Sequence, residues 1–260
     1  MARRAQVQAG RVAQGTSQNR DRSAAQDGTA PPRNRLLATL PPAVLERIRP
    51  LLQPQSFRYR EVMMPADTPM DAVVFPETGW TSLMVTLLDG AGAEVGLVGR
   101  EGMVGLPLLL GTDRMPLEVQ WQSDGTALRL EAAAFRALLE ESEPFRTLLL
   151  RYAMAHTTQV SLIAACNVRH SVEQRLGRWM LMAHDRAEAD QFSMTHDQLS
   201  VILGVRRAGI TVAVGALQRA GAIRSGGGRV TVLSRRVLKE AACECYGSAK
   251  REYTRLLRCR

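Results

Sequence analysis

The chemistry most readable in this 260-residue chain lies in one run, SMTHDQLSVILGVRRAGITVAVGALQRAGAIRSGGGRVTVL, from Ser193 to Leu233. Thr195 can cap a helix by accepting a hydrogen bond from a backbone N–H, with Asp197 in the positive first turn. Leu199, Ile202 and Leu203 give that helix an apolar face, Gly204 supplies a tight turn and Val205 a buried plug. A second helix follows from about Arg206, with Ile210, Val214 and Leu217 facing inward and Gly221 ending it. Small Ser200, Gly204 and aliphatic Ile210 stand at the spacing that lets two crossed helices approach. AIR, SGGG and RVTVL then read as a β-hairpin with a glycine tip. Crossed helices alone are a packing motif. Here Arg206 and Arg207 open the second helix, the end that reaches base edges and phosphates when such a helix lies in a major groove. Arg229, after the hairpin tip, reads as a phosphate contact or as a solvated arginine.

Charge agrees with that location. The net charge is +9, but residues 35–167 carry eleven Arg against fifteen acids, whereas 168–236 carry eleven Arg against five. A basic excess confined to one region is the footprint of a phosphate-binding surface.

Other reactive residues give less. Cys166, Cys243, Cys245 and Cys259 form no disulfide framework, and a reducing cytoplasm is the expected setting. Cys243-Glu244-Cys245 could seed a metal site completed by Cys259 or a histidine, but it lacks C-x-x-C spacing, so unliganded thiols are expected, with no metal or cofactor. His156 reads as a polar residue on a helix surface rather than a haem ligand. No Ser, Cys or carboxylate pair has the spacing of a catalytic site, so an enzyme is not expected.

These residues must be positioned by a larger frame. Residues 1–33, Arg-rich and without an apolar core segment, are expected to be a disordered basic tail rather than a secretory signal. From Asn34 two short helices are expected, divided by Pro41 and Pro42. Then FRYREVMM, DAVVFP, GWTSLMVTLL, AEVGLVG, LEVQWQ and TALRL recur with turn residues between them, the pattern of a sandwich or jelly roll. Helix returns at EAAAFRALLEESE. From Pro144 a helix runs to Asn167, with Leu148, Tyr152, Ala155, Gln159, Leu162 and Cys166 spaced 4-3-4-3-4. That spacing is the seam of a coiled-coil dimer, in which Gln159 would fix register, or the buried stripe of a helix packed on its own domain. HSVEQRLGRWMLMAHDRA continues as helix. The expected fold is α+β: a jelly-roll sensor domain (34–143), a dimerisation helix (144–167), a winged helix-turn-helix (168–236) and a helical extension (237–260). No apolar stretch reaches the roughly 18–20 residues that would span a bilayer.

The motifs together resemble the Crp/Fnr superfamily. THDQLSVILGVRR is similar to that family's helix-turn-helix, SVEQRLGRWML to the helix before it, and MDAVVFPETG to a strand and turn of its cyclic-nucleotide-binding β-roll. The resemblance implies a cytoplasmic, homodimeric transcriptional regulator whose paired helices read a near-palindromic operator in double-stranded DNA, meeting RNA polymerase if it activates. Arg207 matches the family's guanine-contacting arginine, while Ala208 and Val212 stand where the cyclic-AMP receptor protein has an acid and a second arginine, so a different operator is expected. Thr195, Arg206, Thr211 and Arg219 are further candidate contacts. In the cyclic-nucleotide cassette, Leu106 follows Gly105 where a glutamate belongs, and Met115-Pro116 replace the arginine–serine pair. The effector is therefore not expected to be cyclic AMP; the alternative is a rearranged pocket around Gly105 and Arg114.

Overall fold

The computed structural model describes residues 31–257; residues 1–30 of the expected tail and Cys259 lie outside the described residues. Asn34, fully buried, caps α1 (Arg35–Ala38), its carboxamide accepting from Leu37 N–H and donating to the Pro76 and Gly102 carbonyls. Pro41 and Pro42 divide α1 from α2 (Pro42–Ile48), as a proline tolerated only in a first turn must.

The β-rich part holds β1 (Gln53–Phe57), β2 (Val62–Met64), β3 (Ala72–Thr78), β4 (Thr81–Thr86), β5 (Gly92–Val98), the short α3 (Leu106–Leu109), β6 (Glu118–Trp121) and β7 (Gly125–Glu131). The run FRYREVMM is strand only at its ends: β1 starts four residues earlier, at Gln53, and stops at Phe57, and after Arg60 takes a left-handed turn at φ 67° the chain resumes as β2. Two antiparallel sheets result, in the orders β1-β7-β3 and β2-β6-β4-β5. Phe57, Val73, Phe75 and Leu130 of the first share one core with Leu83, Val98, Val119 and Trp121 of the second, and the Phe57 and Trp121 rings stack at 4.7 Å. This is the jelly roll the strand spacing predicts.

Next come α4 (Ala132–Glu141), α5 (Glu143–Arg169), α6 (Val172–His184), β8 (Gln191–Ser193), α7 (His196–Leu203), α8 (Arg207–Arg219), β9 (Ile223–Gly226), β10 (Arg229–Val232), α9 (Arg235–Ala241) and α10 (Cys245–Leu257). At 27 residues, α5 is about 40 Å long. Its stripe expected as a dimer seam is turned inward instead. Tyr152, Ala155, Gln159 and Cys166 are buried in their own chain, with Leu148 and Leu162 half-buried at the edges. The Tyr152 hydroxyl donates to the Met103 carbonyl at 2.9 Å and the Gln159 carboxamide to the Leu97 carbonyl at 3.2 Å, so both are occupied by the roll. Farther along, α10 returns to pack along α5, and Tyr152 meets Tyr253 edge to face. The helix surface left outside carries Leu150, Met154, Thr157, Ser161, Ala164 and Val168, again spaced 4-3-4-3-4.

A second core joins α6 to the helices and hairpin beyond it, and it includes Trp80 and Leu97 of the roll. Glu94 of β5 lies in that junction. It accepts hydrogen bonds from the Ser82 hydroxyl and, at 2.8 Å, from the Trp179 indole N–H. Burial pushes its carboxyl up to about 7, against the opposing pull of those hydrogen bonds and of Arg178 and Arg186. Arg186 donates to Glu101 at 2.9 Å, and Gln198 of α7 donates to the Tyr59 hydroxyl. The basic C-terminal part is therefore seated on β4 and β5 through polar contacts as well as apolar ones.

Candidate nucleic-acid interface

The helix pair forms because each residue type suits its place. Thr195 accepts from Gln198 N–H at 3.2 Å, and the Gln198 carboxamide accepts from Thr195 N–H at 2.9 Å. This is a reciprocal capping box, with Asp197 in the first turn. The T-x-x-Q pattern announces it, although Gln198 escaped the sequence reading. Leu199, Ile202 and Leu203 are buried; Gly204 then takes the left-handed conformation at φ 61°, and α8 leaves α7 at 108°. That angle lies in the range of helix–turn–helix pairs. Arg175 of α6, buried, donates to the Leu203 carbonyl and so satisfies the C-terminal end of α7.

Ile210, Ala213, Val214 and Leu217 bury one face of α8, which leaves its first turn open to solvent. Arg206 stands at the N-cap and Arg207 in the first turn, both exposed. The Arg207 guanidinium lies 2.9 Å from the Asp197 carboxylate, an exposed pair that solvent weakens. Thr211 is also exposed, but its hydroxyl donates to the Arg207 carbonyl and lies 3.2 Å from His196 Nδ1, so it ties α8 to α7. Thr195 likewise acts as a cap. Arg219 is in the last turn, about 18 Å along the axis from Arg207, and does not join that cluster. Ala208 and Val212 are exposed.

The hairpin β9–β10 turns at Gly227-Gly228, with φ 57° and 72°, which is what a two-residue turn with both residues left-handed needs. Ile223, Val230 and Val232 are its buried side. On the other face, Arg229 pairs across from Gly226 and Arg224 from Thr231. Arg224 went unnoticed in the sequence, though the alternation with Ile223 places it beside Arg229. The Gly228 carbonyl accepts from Met194 N–H at 2.8 Å, which fixes the hairpin tip against the start of α7.

In the roll, Arg114 is exposed; it donates to the Asp67 carbonyl at 3.2 Å and lies 3.8 Å from Asp113. A Cβ on Gly105 would stand 2.7 Å from the Val73 side chain. Gly105 thus packs against Val73 while Arg114 faces solvent. His156, expected on a surface, is buried between α5 and β5, and burial holds its imidazole down at about 4. A cavity of about 480 Å³ opens where α10 meets α5 and α6, lined among others by Arg35, Arg100, Arg186, Lys250 and Tyr253.

Residues 54–142 match the cyclic nucleotide-binding domain and residues 174–241 the Crp-like helix-turn-helix domain. The chain belongs to the Crp/Fnr family of transcriptional regulators. Among relatives of this Crp/Fnr regulator, the transcriptional regulator SdrP of Thermus thermophilus is 29% identical over 164 residues, 59% of this chain and 75% of the relative. The structure of FixK2 from Bradyrhizobium japonicum superposes with a TM-score of 0.63 at 16% identity, covering 74% of this chain and 98% of that one. A CRP-family transcriptional regulator from Thermus thermophilus gives 0.61 at 17% identity, covering 72% and 96%. At such identities the solved structures establish the Crp/Fnr fold alone. Among the described residues, no single helix is long and apolar enough to cross a membrane.

Proposed function

We propose that this Crp/Fnr regulator acts in the cytoplasm as a homodimer that lays α8 of each copy in successive major grooves of a near-palindromic operator. The observation that carries this reading is the open first turn of α8, which offers Arg206 and Arg207 beside a hairpin whose exposed face holds Arg224 and Arg229. Arg207 is the base reader, its two N–H donors matched to guanine O6 and N7. Arg206, Arg224 and Arg229 bind phosphate, Arg219 reaches at most flanking backbone, and Thr195 and Thr211 shape the helix pair. The dimer forms through the outer stripe of α5, where Leu150, Met154 and Val168 are 48%, 54% and 82% exposed. Apolar side chains of that size at heptad spacing on an open helix suit a partner helix. The signal is not cyclic AMP, which would need the acid and cation that Leu106 and Met115 replace; RNA polymerase is the further partner if the regulator activates.

Genome-wide mapping of bound DNA tests this. The expected operator has two-fold symmetry with half-sites about 34 Å apart, and Arg207→Ala costs about 1–3 kcal/mol and relaxes one base pair in each half-site. An asymmetric motif, or unchanged binding of the variant on every operator, refutes it. Operator affinity should not respond to cyclic AMP.

A further inference from the structure

Three thiols and an imidazole meet where α5 ends and the C-terminal helices begin. Cys166 lies in the last turn of α5 and His170 caps that helix; Cys243 sits in the link after α9, and Cys245 opens α10. The two halves come from positions 77 residues apart, yet the four donor atoms lie within 4.8 Å of one another. Cys166 Sγ is 3.4 Å from Cys243 Sγ, and Cys245 Sγ is 3.8 Å from His170 Nδ1. A tetrahedral ion with bonds of about 2.3 Å to sulfur and about 2.0 Å to nitrogen has donor–donor edges of roughly 3.5–3.8 Å. The group already has the dimensions of a single-ion cage. We propose that Cys166, His170, Cys243 and Cys245 bind one zinc ion as a closed structural site of three thiolates and one imidazole.

Two features around the cage support this. Glu244 Oε2 lies 3.2 Å from His170 Nε2. A carboxylate there holds the proton on Nε2 and leaves the Nδ1 lone pair facing the thiols, the outer-shell arrangement common to metal-bound histidine. Three thiolates and a neutral imidazole around a divalent ion carry one net negative charge. Arg178, buried against Cys166, has an Nε with no hydrogen-bond partner. A buried cation needs a counter-charge, and the metal–thiolate group supplies it. Soft sulfur donors disfavour magnesium and calcium. An iron–sulfur cluster spreads its ligands over two to four iron atoms and needs a wider ring of donors. A Cys166–Cys243 disulfide would leave Cys245 and His170 without a role.

The ion would staple the α9–α10 link to the end of α5, with the α5–α6 joint at His170 and Ser171 inside the clamp. It therefore fixes the angle at which the DNA-binding part hangs from the long helix.

The test uses the reduced full-length chain. Elemental analysis should find one zinc per chain, and cobalt(II) added to the stripped protein should give, at one equivalent, the visible bands and sulfur-to-metal charge transfer of a tetrahedral thiolate site. Cys243→Ser and His170→Ala lose those bands, and Cys259→Ser keeps them. Glu244→Gln, which removes only an exposed outer carboxylate, keeps the bands while zinc affinity falls about 10–100-fold, so the proposal stays testable if the buried cysteine variants fail to fold. Cobalt spectra without thiolate bands, a bound iron–sulfur chromophore, a Cys166–Cys243 disulfide in reducing buffer, or bands that need Cys259 and not His170 would overturn it.

Discussion

Glu94 makes the seating of the DNA-binding part on the roll sensitive to pH, and its replacement by glutamine measures by how much. Burial raises the carboxyl from its ordinary 4.5 to about 7, and the Ser82 and Trp179 hydrogen bonds offset only part of that. When the junction opens or the chain unfolds, the group returns to its ordinary value. Between the two values the native state holds a proton that the unfolded chain releases, so stability must fall as pH rises through this window. At 1.36 kcal/mol per unit the full loss is about 3 kcal/mol, absent below about 4.5 and complete above about 7. In Glu94→Gln the amide oxygen still accepts from Trp179 and the amide N–H can donate to Ser82, but nothing titrates. Urea unfolding of both proteins from pH 4.5 to 8, followed by Trp80 and Trp179 fluorescence, should give a difference in stability that drifts by about 3 kcal/mol in favour of the variant as pH rises. His156, whose lowered value adds stability with rising pH, cancels in that difference. Parallel stability curves would show that Glu94 is not held protonated by the junction.

Further outcomes follow from the same geometry. Arg229→Ala should weaken binding to all DNA sequences alike and lower the salt dependence of affinity by about one charge in a titration from low to high salt; a loss confined to one site would contradict its phosphate role. Met154→Glu and Leu150→Glu on the outer face of α5 should give monomers in sedimentation equilibrium with unchanged circular dichroism, whereas Gln159→Ala should not change the oligomeric state, since Gln159 bonds within its own chain. Gly204→Ala places a Cβ in the left-handed region with nothing nearer than 3.9 Å, so it should cost about 1–2 kcal/mol in urea unfolding through backbone strain alone.

The helix pair was legible because every device in it is local: a capping threonine, a left-handed glycine, buried aliphatics one turn apart and a two-glycine hairpin. Most strands were legible through their spacing; β1, which lies mostly upstream of the expected run, the three-residue β8, and the break at Arg60, where a non-glycine residue adopts positive φ without a compositional signal, were not. The face of α5 was not. Its sequence carries two heptad stripes offset by two residues, about 200° around the helix, and spacing cannot rank them. What decides is tertiary: the roll and α10 take the stripe of Tyr152, Gln159 and Cys166, and the smaller residues of the other stripe remain outside. The gathering of Cys166 with Cys243 was hidden for a related reason, since it depends on α10 folding back along α5.

The strand β5 touches both long-range partners through its own backbone. A Cβ at Gly96 would stand 3.2 Å from the His156 ring of α5, and one at Gly92 would stand 3.2 Å from the Val201 side chain of α7. These bearings are four residues apart on one strand, with the Glu94 carboxyl anchored to Trp179 between them. Both helices therefore bear on a single strand, and a substitution that shifts β5 is felt by α5 and α7 together.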